Sequence, residues 1–245
     1  MKNLYLLCIL FFNQEVLAVH PCKVLMRVLR PQSVPCAFSG KVGQISAMIT
    51  EAKVAKPEGV ALICSPHPQK KGDMYNKVLS RTALAFFECN YTTLRFDFRG
   101  VGRSEGSYGQ IFGEIEDTKA AIAFLQEEFG PLPLWLAGFS FGAFTAAKAS
   151  LSAKDLQGVL LIAPGVIRFD YVSLPQIPNC EVIQGECDEV VSSKDVQDWC
   201  EQNGYPYYEI EGATHEFHKK TIALSKTVRE IILNHSCSRS STFNV

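Results

Sequence analysis

Segments with strand patterns alternate with segments with helix patterns along most of this 245-residue chain. Short apolar runs, typical of strands buried on both faces, are separated by longer stretches whose apolar residues recur every three or four positions. Such alternation favours parallel strands joined by helical crossovers. We therefore predict an α/β fold: a doubly wound, mostly parallel sheet with helices on both faces.

The pattern predicts one domain at residues 36–235, preceded by an N-terminal extension at 1–35 and followed by a polar tail at 236–245. The predicted strands cover residues 45–51, 60–65, 91–98, 134–139, 158–163, 181–184 and 205–210. The predicted helices cover residues 73–89, 114–129, 141–152, 193–202 and 221–233.

Composition excludes several classes of protein. With 47% hydrophobic residues the chain can bury a core, and a formal net charge of −1 provides no basic footprint for nucleic acid.

The apolar run at residues 1–12 is too short to span a bilayer. It resembles a signal peptide, with Val16-Leu17-Ala18 as a cleavage site, and the alternative is an extension that adds nothing to the fold. The nine cysteines have no disulfide-framework or zinc spacing. We therefore predict a cytoplasmic protein, or an exported one if residues 1–18 are a signal peptide.

A Gly-x-Ser-x-Gly motif, Gly138-Phe139-Ser140-Phe141-Gly142, lies between a predicted strand and a predicted helix. A sharp strand-to-helix turn strains the serine and raises its hydroxyl above the sheet, while small glycines let the neighbouring chain approach. The helix N-terminus also favours negative charge that develops at the reacting oxygen. Ser140 is therefore the predicted nucleophile.

A serine nucleophile needs a base and a carboxylate that orients the base, in the chain order Ser, Asp or Glu, His. Asp188 and His215 each follow a predicted strand and supply these groups. Their neighbours are weaker alternatives: Glu186 and Glu189 fit the strand end less well, and His218 is predicted to be a surface residue.

Phe141 is predicted to contribute its backbone N–H to an oxyanion hole. The second donor is assigned to Gln69, with His67 as the second choice, because Pro66 and Pro68 have no N–H.

These strings together resemble small, lidless α/β-hydrolases of the dienelactone-hydrolase kind, over residues 40–235. The resemblance rests on the elbow and on four further strings: Ser65–Pro68 (SPHP), Asp97–Ser104 (DFRGVGRS), Gly185–Asp188 (GECD) and Ala213–Phe217 (ATHEF). Dienelactone hydrolases themselves use a cysteine nucleophile, whereas position 140 is serine, which favours an ordinary ester or acyl substrate. The resemblance implies the α/β-hydrolase fold without a cap domain, and residues 164–180 are indeed too few for a helical lid.

The predicted function is a serine hydrolase that cleaves esters or related acyl bonds of small substrates through Ser140, Asp188 and His215. The alternatives are a serine peptidase of the same fold and a non-catalytic binding protein that retains the fold. No cofactor, metal site, nucleic-acid partner or membrane span is predicted. Asp97 and Arg99 are predicted to stabilise a turn, and His67 to shape its loop. Lys70 and Lys71 either attract an anionic substrate or belong to a solvated loop.

Overall fold

A computed structural model describes residues 31–240, without the side chains of residues 237–240. The predicted signal segment, most of the predicted extension and residues 241–245 lie outside the described residues. The strands are β1 (Ser33–Gly40), β2 (Gly43–Thr50), β3 (Gly59–Cys64), β4 (Tyr91–Phe96), β5 (Leu134–Phe139), β6 (Leu156–Ile162), β7 (Cys180–Gly185) and β8 (Tyr207–Ile210). The α-helices are α1 (Lys77–Glu88), α2 (Phe112–Phe129), α3 (Phe141–Ser150), α4 (Ser193–Asn203) and α5 (Thr221–Ser240).

The eight strands form one sheet in the order β1-β2-β4-β3-β5-β6-β7-β8. Strands β3 to β8 pair in parallel, whereas β2 pairs antiparallel with both β1 and β4. The predicted doubly wound, mostly parallel sheet is confirmed. Because parallel strands point the same way, the loops after β3, β5, β7 and β8 meet at one edge of the sheet.

Helices cover both faces of the sheet, as predicted. Apolar side chains of α1 and α5 form one core with Ala61 and Ile63 of β3. The alternate residues Leu62 and Cys64 belong to a second core with α2 and α3 on the opposite face. The side chains of β3 thus alternate between the two cores, which is why this strand is apolar throughout.

The structure differs from the prediction at the two ends of the domain. Strand β1 begins at Ser33, inside the predicted extension, and forms an antiparallel hairpin with β2. Its sequence contains proline, serine and glycine, and five of its eight residues are exposed, so it has no buried-strand pattern. Helix α5 continues to Ser240, past the predicted start of the polar tail.

The connection from β6 to β7, residues 163–179, contains turns but no helix or strand. The sheet edge above β5 therefore has no helical cap from this connection, as the short spacing predicted. None of the helices in the described part of the chain combines the length and apolarity that crossing a bilayer requires.

A buried ion pair anchors the loop between β4 and α2. The Arg99 side chain donates to both carboxylate oxygens of Asp117, at 2.6–3.1 Å, and the backbone N–H of Arg99 donates to Asp117 as well. These hydrogen bonds raise the pKa of Arg99. The nearby Asp97 carboxylate accepts the N–H of Met74 at 2.7 Å. Arg99 therefore stabilises the loop after β4, as predicted, whereas the Asp97 carboxylate holds the loop that precedes α1.

We expect Asp117→Ala to lower the free energy of unfolding by about 3–5 kcal/mol, because Arg99 would keep a buried charge without a partner. Urea denaturation measures the change. The control is Asp198→Ala, which removes an exposed pair with Lys194 and costs less than about 1 kcal/mol. Equal losses in the two variants would contradict the assignment.

Candidate active site

Ser140 occupies the sharp turn between β5 and α3 with the strained backbone that the motif predicted. Its φ of 54° and ψ of −111° lie outside the regions that non-glycine residues prefer, at a cost of about 1–3 kcal/mol. The backbone N–H of Ser140 donates to Ile162 at the end of β6, at 2.9 Å. The turn is therefore held by the neighbouring strand.

Two glycines make this turn sterically feasible. A Cβ on Gly138 would lie 2.1 Å from the carbonyl oxygen of Gly142. A Cβ on Gly142 would lie 2.3 Å from the carbonyl oxygen of Cys64 and 2.5 Å from that of Ser65. Helix α3 thus begins in direct contact with the end of β3, and only glycine permits this approach.

The three residues predicted from different loops are joined by hydrogen bonds. His215 Nε2 lies 3.1 Å from Ser140 Oγ, and His215 Nδ1 lies 2.8 Å from Asp188 Oδ2. His215 is 7% exposed, and its ring packs against that of Phe139 with centroids 5.0 Å apart. A base within hydrogen-bond reach of a hydroxyl, with an orienting carboxylate behind it, has the geometry to remove the hydroxyl proton.

Both oxygens of the Asp188 carboxylate accept hydrogen bonds. Its Oδ1 accepts the N–H groups of Val190 and Val191, each at 2.8 Å, and its Oδ2 accepts from Gln184 Nε2 at 3.0 Å besides His215. Burial opposes ionisation, but the hydrogen bonds from His215 and from the two backbone N–H groups outweigh it, so the pKa of Asp188 lies below its usual value. The carboxylate is therefore charged beside the imidazole at neutral pH.

Three polar contacts that the sequence analysis missed support this arrangement. Gln184 is fully buried in β7. In the sequence, a polar residue at the end of an apolar strand was the pattern that could have indicated its role. Glu189 accepts the backbone N–H of His215 at 3.2 Å. Asn76 caps α1 with its Oδ1 and donates from Nδ2 to Glu216 at 3.1 Å, which links α1 to the His215 loop.

The structure places neither His218 nor Glu186 in the hydrogen-bonded series, and Glu189 contacts only the backbone of His215. His218 is exposed, as predicted. The Glu186 carboxylate accepts the N–H of Gly212 at 2.7 Å. Among residues 31–240, no group of three or more histidine, cysteine, aspartate or glutamate side chains is placed to hold a metal ion.

Ser140 and His215 open into a cavity of about 340 Å³. Phe141 lines it and lies at the first position of α3, where a backbone N–H has no helical partner.

Gln69 does not line this cavity, and its N–H donates to His67 Nδ1 at 3.2 Å, so the geometry does not support it as an oxyanion donor. The ring of His67 caps the turn at Pro68–Lys70, which agrees with its predicted role in loop shape. His67 itself lines the cavity, with its ring 4.7 Å from that of Phe141.

The sequence is similar to one family model and to a protein from another organism. A family model described as serine aminopeptidase, S33, matches residues 72–181, a range that includes Ser140 but neither Asp188 nor His215. An uncharacterized protein of Rickettsia prowazekii (strain Madrid E), RP471, is 32% identical over 210 residues, which cover 80% of this chain and 87% of that protein.

Two solved structures are similar along nearly their whole length. An alpha-beta serine hydrolase homologue from Coxiella burnetii is 36% identical with a TM-score of 0.77, covering 80% of this chain and 96% of that one. XC6422 from Xanthomonas campestris, described as an α/β serine hydrolase without lid, is 31% identical with a TM-score of 0.78, covering 83% and 94%.

We expect Gly142→Ala to destabilise the protein by more than the roughly 1–3 kcal/mol of ordinary overpacking, because its methyl group would collide with backbone carbonyls that cannot rotate away. The control is Gly204→Ala, at a left-handed helix cap with φ 68° and ψ 29° and no atom within 4 Å of the added carbon. That substitution should cost only about 1–2 kcal/mol from backbone strain. Thermal unfolding of both variants tests the contact, and a Gly142→Ala variant as stable as Gly204→Ala would refute it.

Proposed function

Because this chain belongs to the α/β-hydrolase superfamily, we propose that it is a serine hydrolase that cleaves carboxylic-ester or related acyl bonds of small substrates. The observation that carries the proposal is the hydrogen-bonded series Asp188–His215–Ser140 at the mouth of an open cavity. A carboxylate, an imidazole and a hydroxyl in this order form the catalytic arrangement of acyl-transfer enzymes.

In the proposed reaction, Ser140 Oγ attacks the acyl carbonyl while His215 Nε2 takes its proton. His215 then returns that proton to the leaving group, and an acyl-enzyme remains on Ser140. Water, activated by His215 in the same way, attacks the acyl-enzyme and releases the acid. Asp188 holds Nδ1 of the imidazole and stabilises the cation that forms in each step.

We propose that two backbone N–H groups, those of Phe141 and His67, stabilise the negative charge that develops on the carbonyl oxygen of the substrate. The position of Phe141 at the start of α3 supports its part, because the helix N-terminus favours an anion. His67 takes the second part in place of Gln69, because it lines the cavity beside Phe141.

A peptidase activity is the alternative that the matching family model raises. An aminopeptidase must bind the positive α-amino group of its substrate, and a carboxylate is the usual partner for such a cation. The lining of the Ser140 cavity contains one described carboxylate besides several cations, and that carboxylate, Glu216, already accepts from Asn76. The charge of the cavity therefore favours the esterase proposal.

We also propose that the protein acts in the cytoplasm. The cysteines whose side chains are described are free thiols, which are typical of a reducing compartment: Cys36, Cys64, Cys89, Cys180, Cys187 and Cys200.

Ser140→Ala should lower the hydrolysis of p-nitrophenyl acetate and butyrate on the order of 10⁴-fold and abolish labelling by a fluorophosphonate, because the nucleophile is lost. The matched control is Ser152→Ala, at an exposed position after α3, which should retain both properties. A folded wild-type protein that neither hydrolyses the esters nor is labelled would instead favour the non-catalytic binding protein.

Asp188→Asn should lower kcat about 10³–10⁴-fold, because the amide no longer stabilises the imidazole cation and can hold the wrong tautomer. Glu189→Gln is the control: its amide oxygen can still accept the His215 N–H, so kcat should fall less than about tenfold. Steady-state kinetics of the two variants compares the carboxylates. A larger loss in Glu189→Gln would assign the orienting role to Glu189.

A further inference from the structure

Cations outnumber carboxylates in the described lining of the cavity that contains Ser140. Lys70 and Lys71 contribute from the turn after β3, and Arg168 contributes from the connection between β6 and β7. Glu216 is the carboxylate among the described lining residues. This local excess of positive charge contrasts with the formal net charge of −1 of the whole chain.

These three cations have no carboxylate partner within the part of the chain that the structure describes. Some lysines elsewhere on the surface are paired, as Lys41 is with Glu116 and Lys194 with Asp198, so what distinguishes the three cations is that they line one cavity together. Unpaired charges around a concave surface attract an ion of opposite sign, because the low-dielectric walls concentrate their field.

The two lysines are held at the cavity by a closed turn. The N–H groups of Lys71 and Gly72 donate to the carbonyl oxygens of Pro68 and His67, at 3.2 and 3.1 Å. Lys71 has a φ of 62°, a conformation that lysine adopts at an energetic cost. A Cβ on Gly72 would lie 2.4 Å from the carbonyl oxygen of Pro66, so only glycine permits the close return of the chain that closes this turn.

Arg168 is held on the opposite side of the opening by one hydrogen bond. Its Nη2 donates to the carbonyl oxygen of Val190 at 3.0 Å, which leaves its other N–H groups available to a ligand. A guanidinium presents these donors in a plane that matches a carboxylate or phosphate.

We propose that the substrates of this site are acyl compounds that carry a carboxylate or phosphate group, bound by Lys70, Lys71 and Arg168 while Ser140 attacks the acyl carbon. This proposal rests on the proposed hydrolase function. Of the two roles that the sequence left open for Lys70 and Lys71, attraction of an anionic substrate or a place in a solvated loop, the proposal takes the first. A cavity of about 340 Å³ suits a small substrate of this kind.

Two pairs of chromogenic or phenolic esters test the proposal on either side of the scissile bond. The acyl-side pair is mono-p-nitrophenyl glutarate and its neutral methyl ester; the alcohol-side pair is 4-acetoxybenzoate and its methyl ester. We expect kcat/KM to favour the anionic member of at least one pair by about tenfold at low ionic strength. The preference should shrink as salt is added, because salt screens exposed charges.

The variants Lys70→Gln, Lys71→Gln and Arg168→Gln should each lower the anionic-to-neutral ratio of kcat/KM by about threefold, since each removes one partly exposed charge. Lys226→Gln is the control, because it removes an exposed lysine on α5 outside the cavity, and it should leave the ratio unchanged.

The outcomes separate this proposal from the function on which it rests. If the neutral esters are hydrolysed and no anionic member is preferred, the hydrolase function stands and the anionic substrate class is overturned. A preference that neither salt nor the three variants reduce overturns the assignment to these cations. If a folded protein hydrolyses none of the four esters, the hydrolase function fails, and the substrate class fails with it.

Discussion

The contact between the start of α3 and the end of β3 is the constraint on which the site depends. Gly142 lies against the carbonyl oxygens of Cys64 and Ser65, so the helix can follow β5 without an intervening loop. This contact places the strained Ser140 above the sheet and directs the first N–H groups of α3 toward the same space. The strain at Ser140 persists because two packed strands and a helix oppose its relaxation.

The charges of the site are stabilised in two different ways. The side chain of Asp188 is buried, and donors from Gln184, Val190, Val191 and His215 surround it, which keeps it ionised. Its position is therefore determined by hydrogen-bond geometry, as preorganised catalysis requires. The lysines and the arginine at the opening are exposed instead, where water lowers the cost of charge and a ligand can replace that water.

The short connection between β6 and β7 determines what can reach Ser140. Residues 163–179 form no helical lid, so the cavity opens to solvent and the side chains at its rim decide which molecules enter. Arg168 belongs to this connection, and Val190 to the loop that carries Asp188, so the hydrogen bond between them joins the rim of the cavity to the Asp188 loop. An open site with a charged rim selects its substrates by their charge more than by the length of an apolar chain.

The sequence by itself determined the sheet, its helical layers and the three residues of the hydrogen-bonded series, because each depends on a local pattern: apolar runs, three-to-four periodicity, and polar residues just after strands. It did not reveal β1, whose exposed edge position leaves no apolar pattern, nor Gln184, whose partner lies in the tertiary structure. It also assigned Gln69 to the oxyanion hole, whereas the folded turn engages that N–H with His67. Only the tertiary structure brought Arg168 to the same cavity as Lys70 and Lys71, because the distance between loops at a sheet edge depends on strand order, which no local pattern contains.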